Sequence, residues 1–497
     1  MEEHPISPTN LVVLLTRPSD NELPCSLGVS KDRQGIPARI VSNRRRHSGQ
    51  ANDRCALFEP GSTRLDKQRD LIKEDQLRQQ NRQAITKRAV LRRLRDAVLE
   101  QLPDRRGSRG RRHPYLGLVM ALALGAVAAL RSLRAVEALT ASLHLDVRRQ
   151  SQIPTRISDT KLRDTLLGLR RDEVRGALHR QVKAEHRRGN LSPTRLPFGV
   201  VAIDGKWLGK MDSWDDPDVQ AVRPEGQRPY GLARMHRAHL VSSDATVCID
   251  ERPIPGKTNE LGAVCPFTQE LIATYRRTEL FDAITADAGN CSLEHATLIH
   301  EHDLGYVLAI KEPAGDIYGE AQRLLSDLTH DEAETCETRR EKGAQVTHRL
   351  YRTTIRGFLS WTHARQLVRV ERTVENKSGE ITVGNRYFVT NLVRGRLNAG
   401  GWLTLVRMHW RCENEGHWTA DVVWKEDARR TPWIRVPHAV YALSTLRMIA
   451  LNILAVLRRQ SRREYTSRSI PWREVARLAH FALAGPAVVL TERLVFE

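Results

Sequence analysis

FGVVAIDGK, residues Phe198–Lys206, is the stretch on which the fold turns. Val200, Val201, Ala202 and Ile203 run straight into one carboxylate, Asp204, and then a glycine. A short β-branched run closed by a turn residue predicts a buried strand, with Asp204 at its exit on rigid scaffold. LFDAITAD at Leu280–Asp287 repeats the theme, a strand ending in an acid ahead of Ala-Gly. Between them, His236–Val241 and Ala245–Ile249 predict a hairpin turning at Ser242–Asp244, after a polar loop over Asp212–Arg228. Cys265–Arg276 reads as a helix with Pro266 in its first turn. Ser292–Asp303 predicts a helix and Tyr306–Ile310 a strand. Strand, hairpin, helix, strand, helix, strand is the order of an α/β ribonuclease-H-like core, although periodicity alone fits other α/β layers too.

Working outward, Asp316–Leu328 predicts a helix, and residues 345–392 read as an inserted β-rich segment with strands at Thr347–Ile355, Arg365–Val374 and Ile381–Val389. Continuous helices are expected over Trp402–Trp424 and Ala439–Leu457. Towards the N-terminus, helical periodicity covers Asp66–Leu102, residues 115–145 as one apolar helix, and Ser158–Arg188. The resulting division is a poorly ordered basic tail at 1–65, a helical N-terminal domain with possible DNA binding at 66–190, and the first part of the core at 191–328. A β-rich insertion at 329–397, a glutamate-bearing helix completing the core at 398–460 and a C-terminal tail at 461–497 follow.

Lysine and arginine number 79 against 59 acidic residues, a formal charge of +20 over 497 residues. That excess favours a polyanionic partner, nucleic acid above all. The 7 cysteines are scattered and never spaced as CxxC, which excludes a zinc knuckle and a disulfide framework and suits a reducing cytoplasm. Residues 115–130 carry no charge but fall short of the roughly 18–20 residues a membrane span needs. They read as a core helix, so no membrane partner is expected, and Met1–Pro5 lacks the basic start of a signal peptide.

WLTLVRMHWRCENEGHWTADVVWKED, residues 402–427, sets Trp402, Val406, His409, Glu413, His417 and Asp421 along one helical stripe. A glutamate among such neighbours is expected to be buried and to need a cation beside it. Asp204, Asp287 and Glu413 together offer hard oxygen ligands from separate elements, the donor set for Mg2+, with Mn2+ able to substitute. Two such ions about 3.5–4 Å apart activate a water or a DNA 3′-hydroxyl on one side of a phosphate and stabilise the leaving oxygen on the other. A rival set, His409, Glu413 and His417 as zinc ligands of a metallohydrolase, lacks the HExxH pattern and leaves both aspartates unused.

The ordered motifs make the resemblance specific. IDGK at Ile203–Lys206, KTNE at Lys257–Glu260, TADAGNC at Thr285–Cys291, YVLAIK at Tyr306–Lys311 and HWRCENEGHWTAD at His409–Asp421 resemble the DDE transposases of bacterial insertion sequences, of the ISAs type that includes the H-repeat-associated proteins. The likeness runs from about residue 100 to 458. It implies a transposase cutting and joining DNA at insertion-sequence ends, with Asp204, Asp287 and Glu413 as catalytic, metal-holding acids. It also implies double-stranded DNA with terminal inverted repeats, a target DNA, and a homodimer that synapses two ends. Trp361 resembles an insertion-domain tryptophan that stacks on a displaced base. Lys206, Lys257, Arg407, His409, Arg411 and His417 are the accompanying candidates for DNA contact. This chain departs from the pattern where relatives carry an arginine one turn before the glutamate and a lysine seven residues after it; it has His409 and Ala420. Cys412 stands for an isoleucine and Gly416 for a leucine. An inactive or domesticated copy that only binds DNA is the alternative.

Overall fold

The structure is a computed structural model, and it describes residues 64–108, 111–211, 213–226, 228–312, 316–355, 360–428, 433–462 and 470–484. The tail expected at 1–65 lies outside these residues as far as 63. Residues 64 and 65 already belong to the first helix. Two units are distinguished, Met1–Asp66 and Lys67–Glu497, and the sheet lies wholly in the second.

Six helices come first: α1 Arg64–Asp96, α2 Tyr115–Val127, α3 Leu133–Ser142, α4 Leu145–Ser151, α5 Asp159–Gly168 and α6 Arg171–Arg187. The single apolar helix expected over 115–145 is broken after Val127. Ala129 takes a left-handed φ of 56°, and Ser132 then caps α3 by accepting a hydrogen bond from the Ala135 amide. The 158–188 stretch breaks likewise, because Leu169 and Arg170 are extended.

The sheet follows, with β1 Val200–Met211, β2 Val219–Val222, β3 Tyr230–Leu240, β4 Val247–Pro253, α7 Glu260–Tyr275, β5 Ala283–Ala286, α8 Leu293–Glu301, β6 Gly305–Ile310 and α9 Asp316–Leu325. Then come β7 Thr335–Glu341, β8 Ala344–Thr354, β9 Gln366–Glu375, β10 Ile381–Thr390, α10 Ala399–Met408, α11 Trp418–Trp424, α12 Pro437–Arg462 and α13 Trp472–Leu483. All ten strands form one mixed sheet, ordered β2-β3-β1-β5-β6-β10-β9-β8-β7, with β4 also on β3. β1, β5 and β6 are parallel; β3 runs antiparallel beside β1, and β4 antiparallel beside β3.

Several expectations are corrected here. β1 does not stop at Asp204, because antiparallel pairing with β3 (Asp204↔Arg237, Lys206↔Met235) carries it on to Met211. Only its parallel partner β5 ends there, at Ile203↔Ala286. The loop over 212–228 contains β2, paired with β3. Pro266 lies well inside α7, which begins at Glu260 behind an Asn259 cap. The β-rich segment extends the central sheet, since β10 pairs with β6 at Tyr387↔Ile310. The expected continuous helix over 402–424 is α10, a turn, a π-helical turn at Cys412–His417, and α11.

Alternation along β1 feeds two cores. Val201 and Ile203 pack with α2, α6, α7 and α12. Val200 and Ala202 pack with Val307, Val368, Phe388 and, from α10, Trp402, Leu403 and Val406. The N-terminal helices share the first core, so residue 190 marks no break in packing. Gln181 of α6 bonds the Ile449 carbonyl of α12 at 3.1 Å, and Asn452 of α12 grips both the amide and carbonyl of Cys248 at 2.8 Å. Residues 437–460 of α12 are long and apolar enough to cross a membrane, but their most apolar window is 100% buried, as a core helix requires. The segment expected as a C-terminal tail holds α13, whose Leu483 carbonyl accepts from the His144 amide at 3.0 Å.

Candidate active site

Asp204 sits where β1 outruns β5, so its side chain lies beside the end of a strand rather than under a neighbour. Its Oδ1 accepts from the Gly205 amide at 2.8 Å, and its Oδ2 lies 3.4 Å from His417 Nδ1 and 3.8 Å from Cys412 Sγ. Burial raises the Asp204 carboxyl to a pKa of about 7, helped by the charges of Asp287, Glu413 and Glu260. Asp287 follows β5 directly and caps a short 3-10 turn; its Oδ1 accepts from the backbone and side-chain amides of Asn290 at 3.1 and 2.8 Å.

Glu260, which opens α7, is a fourth acid that motif reading left without a role. A Cβ on Gly205 would meet its Oε1 at 2.3 Å, so glycine is what lets this carboxylate press against β1. Its Oε2 is 3.7 Å, and Asp287 Oδ2 3.2 Å, from the point where a Gly289 Cβ would stand. Burial, then Asp287, hold the Glu260 carboxyl above its ordinary range. KTNE was visible as a motif, but nothing in the sequence tied it to Asp204. Among the described residues, no lysine or arginine forms an ion pair with Asp204, Asp287 or Glu260.

Glu413 is exposed, contrary to the burial expected for it. The π-helical turn changes the register behind it: His409 and His417 are buried at 3% and 7% exposure while Glu413 faces out. Partial burial raises its carboxyl, Arg386 opposes this, and Asp287 adds to it. Among the described residues no set of three or more His, Cys, Asp or Glu side chains is grouped closely enough to hold a metal ion, which also removes the His409–Glu413–His417 zinc set.

The remaining candidates have other occupations. Lys206 is buried and ion-paired to Asp421 at 2.5 Å, tying β1 to α11. Arg407 reaches Glu337 of β7 at 2.6 Å. Arg411 donates to the carbonyls of Val241 and Ser243 and to Glu415, fastening the π turn to the β3–β4 turn. Trp361 is 7% exposed, edge-on to Tyr306 in the core, so it offers no free face for a base. Lys257 is exposed. Burial depresses His409 to about 4 and His239, beside His417, to about 3, so both are neutral at pH 7. The departures fit this packing. A Cβ on Gly416 would lie 2.5 Å from His239 Nε2, and Ala420 is fully buried where a lysine would be stranded.

No family model matches the chain. Over 288 residues it is 28% identical to the "H repeat-associated putative transposase YhhI" of Escherichia coli, a match covering 53% of this chain and 72% of the relative. The "Putative transposase YncI" of Escherichia coli is 25% identical over 267 residues, covering 51% of this chain and 61% of that protein. A cryo-EM structure of the piggyBac transposase synaptic complex with hairpin DNA is similar over 78% of this chain and 75% of that chain, at a TM-score of 0.38 and 12% identity. The curated relatives bear out the resemblance to transposases that the motifs carry.

Proposed function

We propose that this chain is a DDE transposase that cuts and joins DNA at insertion-sequence ends by phosphodiester hydrolysis and strand transfer, with Asp204, Asp287 and Glu413 as its acids. The observation that carries this reading is the meeting of Asp204 and Asp287, from distant parts of the chain, at the end of β5, with no lysine or arginine ion-paired to either among the described residues. Mutually repelling carboxylates kept together in a fold are costly unless a cation joins them. The oxygen donors of Asp204 and Asp287 are of the kind that suits Mg2+ or Mn2+, and this pair, with Glu413, would hold one. When bound, such ions supply an activated water or 3′-hydroxyl and neutralise charge on the leaving oxygen. The chain's own part is placement: Asn290 orients Asp287, His417 and Cys412 orient Asp204, and Glu413 stands at the open side where DNA arrives.

The strand order β4-β3-β1-β5-β6, antiparallel then parallel, supports a ribonuclease-H-like core. The +20 charge supports DNA as the partner; double-stranded DNA with terminal inverted repeats, and a target DNA, are the substrates this reading calls for. Synapsis of two ends calls for a homodimer. A second reading, an inactive copy that binds DNA without cutting, is favoured by the lack, among the described residues, of any group of three His, Cys, Asp or Glu side chains close enough to hold a metal ion. Supercoiled DNA bearing the repeats that flank the reading frame separates the two. Nicking or strand transfer in Mg2+ is expected, and intact DNA after incubation with well-folded protein would reject the transposase reading.

A further inference from the structure

One turn before Glu413 stands His409, which is buried and so offers no cation to an incoming phosphate. Arg407 and Arg411, its nearest substitutes in sequence, are spent on Glu337 and on the Val241 and Ser243 carbonyls. The phosphate chemistry of the site therefore needs a cation from elsewhere.

We propose that Arg386, on β10, grips a backbone phosphate of the DNA end beside Glu413; this rests on the transposase reading. Arg386 is exposed, and its guanidinium carbon lies over the Trp410 ring, 4.1 Å from the centroid. Trp410 stands three residues before Glu413 and packs edge-on to Phe388, at 6.4 Å and 82°. Phe388 is buried on the same strand as Arg386, so strand, aromatic pair and guanidinium form one fixed stack. An arginine over an indole loses little freedom and keeps its N–H edge available for bidentate contact with phosphate. Among the described residues no carboxylate or carbonyl takes its N–H groups, and the Trp410 ring beneath it lies on the chain just ahead of Glu413. An unpaired guanidinium held beside exposed Glu413 suits an incoming polyanion, since the phosphate meets a cation where it must approach an acid.

The test uses the full chain and a labelled duplex carrying the flanking inverted repeat, unmodified or with one uncharged methylphosphonate at each phosphate near the cleavage position in turn. Arg386→Ala is expected to weaken binding about tenfold and to lower the salt slope by about one phosphate contact. At one methylphosphonate position wild type and Arg386→Ala should bind equally, because the partner charge is gone. Arg386→Lys should recover part of the affinity, and Trp410→Leu should lose part of it. Equal affinity and salt slope for Arg386→Ala and wild type on unmodified DNA would overturn the assignment, as would a loss that persists at every modified position. Wild-type protein that binds through Arg386 but never cuts would reject the transposase reading while leaving the phosphate contact standing.

Discussion

At the scale of single residues, Asp204 is governed by its neighbours. Folding raises its carboxyl from 3.8 to about 7, so between those pH values the folded chain keeps a proton that the unfolded chain has released. Stability contributed by that proton is complete below about pH 4 and is lost as pH rises through 7. Asp204→Asn removes the dependence: its melting temperature should exceed that of wild type at pH 8, by the equivalent of at most roughly 4 kcal/mol, and converge with it near pH 4. Adding Mg2+ at pH 8 should raise the melting temperature of wild type and leave Asp204→Asn unmoved. Gly416→Leu should destabilise by about 1–3 kcal/mol in chemical denaturation, since His239 fills the space a side chain needs. Asp204, Asp287 and Glu413 could be singled out as candidates from the sequence because each sits inside a motif. Glu260 as a site neighbour was not, since its closeness to Gly205 depends on how α7 returns to β1.

At the scale of elements, the π-helical turn Cys412–His417 is the feature that sets which way Glu413 and its neighbours face. A π turn inserts one residue into a helix and re-aims the side chains beyond it, and such turns cluster at functional sites. Here the Trp418 amide donates back to the Glu413 carbonyl, five residues earlier. Deleting Asn414 would return the turn to ordinary helical spacing. DNA cleavage should then fall at least a hundredfold, judged by nicking assays, while far-UV circular dichroism stays unchanged. A strict 3.6-residue stripe put Glu413 on the buried side because sequence periodicity carries no sign of an inserted residue. The same blindness explains the missed breaks at Ala129 and Leu169 and the unforeseen length of β1. Those were settled by φ angles and by pairing with β3, both tertiary in origin.

At the scale of the whole molecule, a buried charge network binds sheet to helices. Arg237 of β3, fully buried, pairs with Glu251 of β4 at 2.9 Å and with Glu426, past α11, at 2.8 Å; Arg447 of α12 faces the same Glu426 at 3.8 Å. Glu426→Ala removes a buried carboxylate that both guanidinium groups face and should cost about 3–5 kcal/mol in thermal or denaturant unfolding. The α1–α6 helices share their core with α12 and with β1, β4 and α13, so a fragment ending at residue 190 should show no cooperative melting by circular dichroism. The division into an N-terminal helical domain followed the sequence order faithfully, but a helix some 250 residues downstream completes that layer. Linear order hides such closure.

The pairing of β10 with β6 turns the sheet into a ruler. Arg386 and Asp287 are held apart by strand spacings, each about 4.8 Å, and not by the loops between them. Loops joining these strands can therefore lengthen or shorten across related chains without altering the reach from cation to carboxylate. A slip of one residue in the β10 register would turn Arg386 to the opposite face at once. The gauge of this site is thus written in hydrogen-bond register, and chain length between motifs is free to drift.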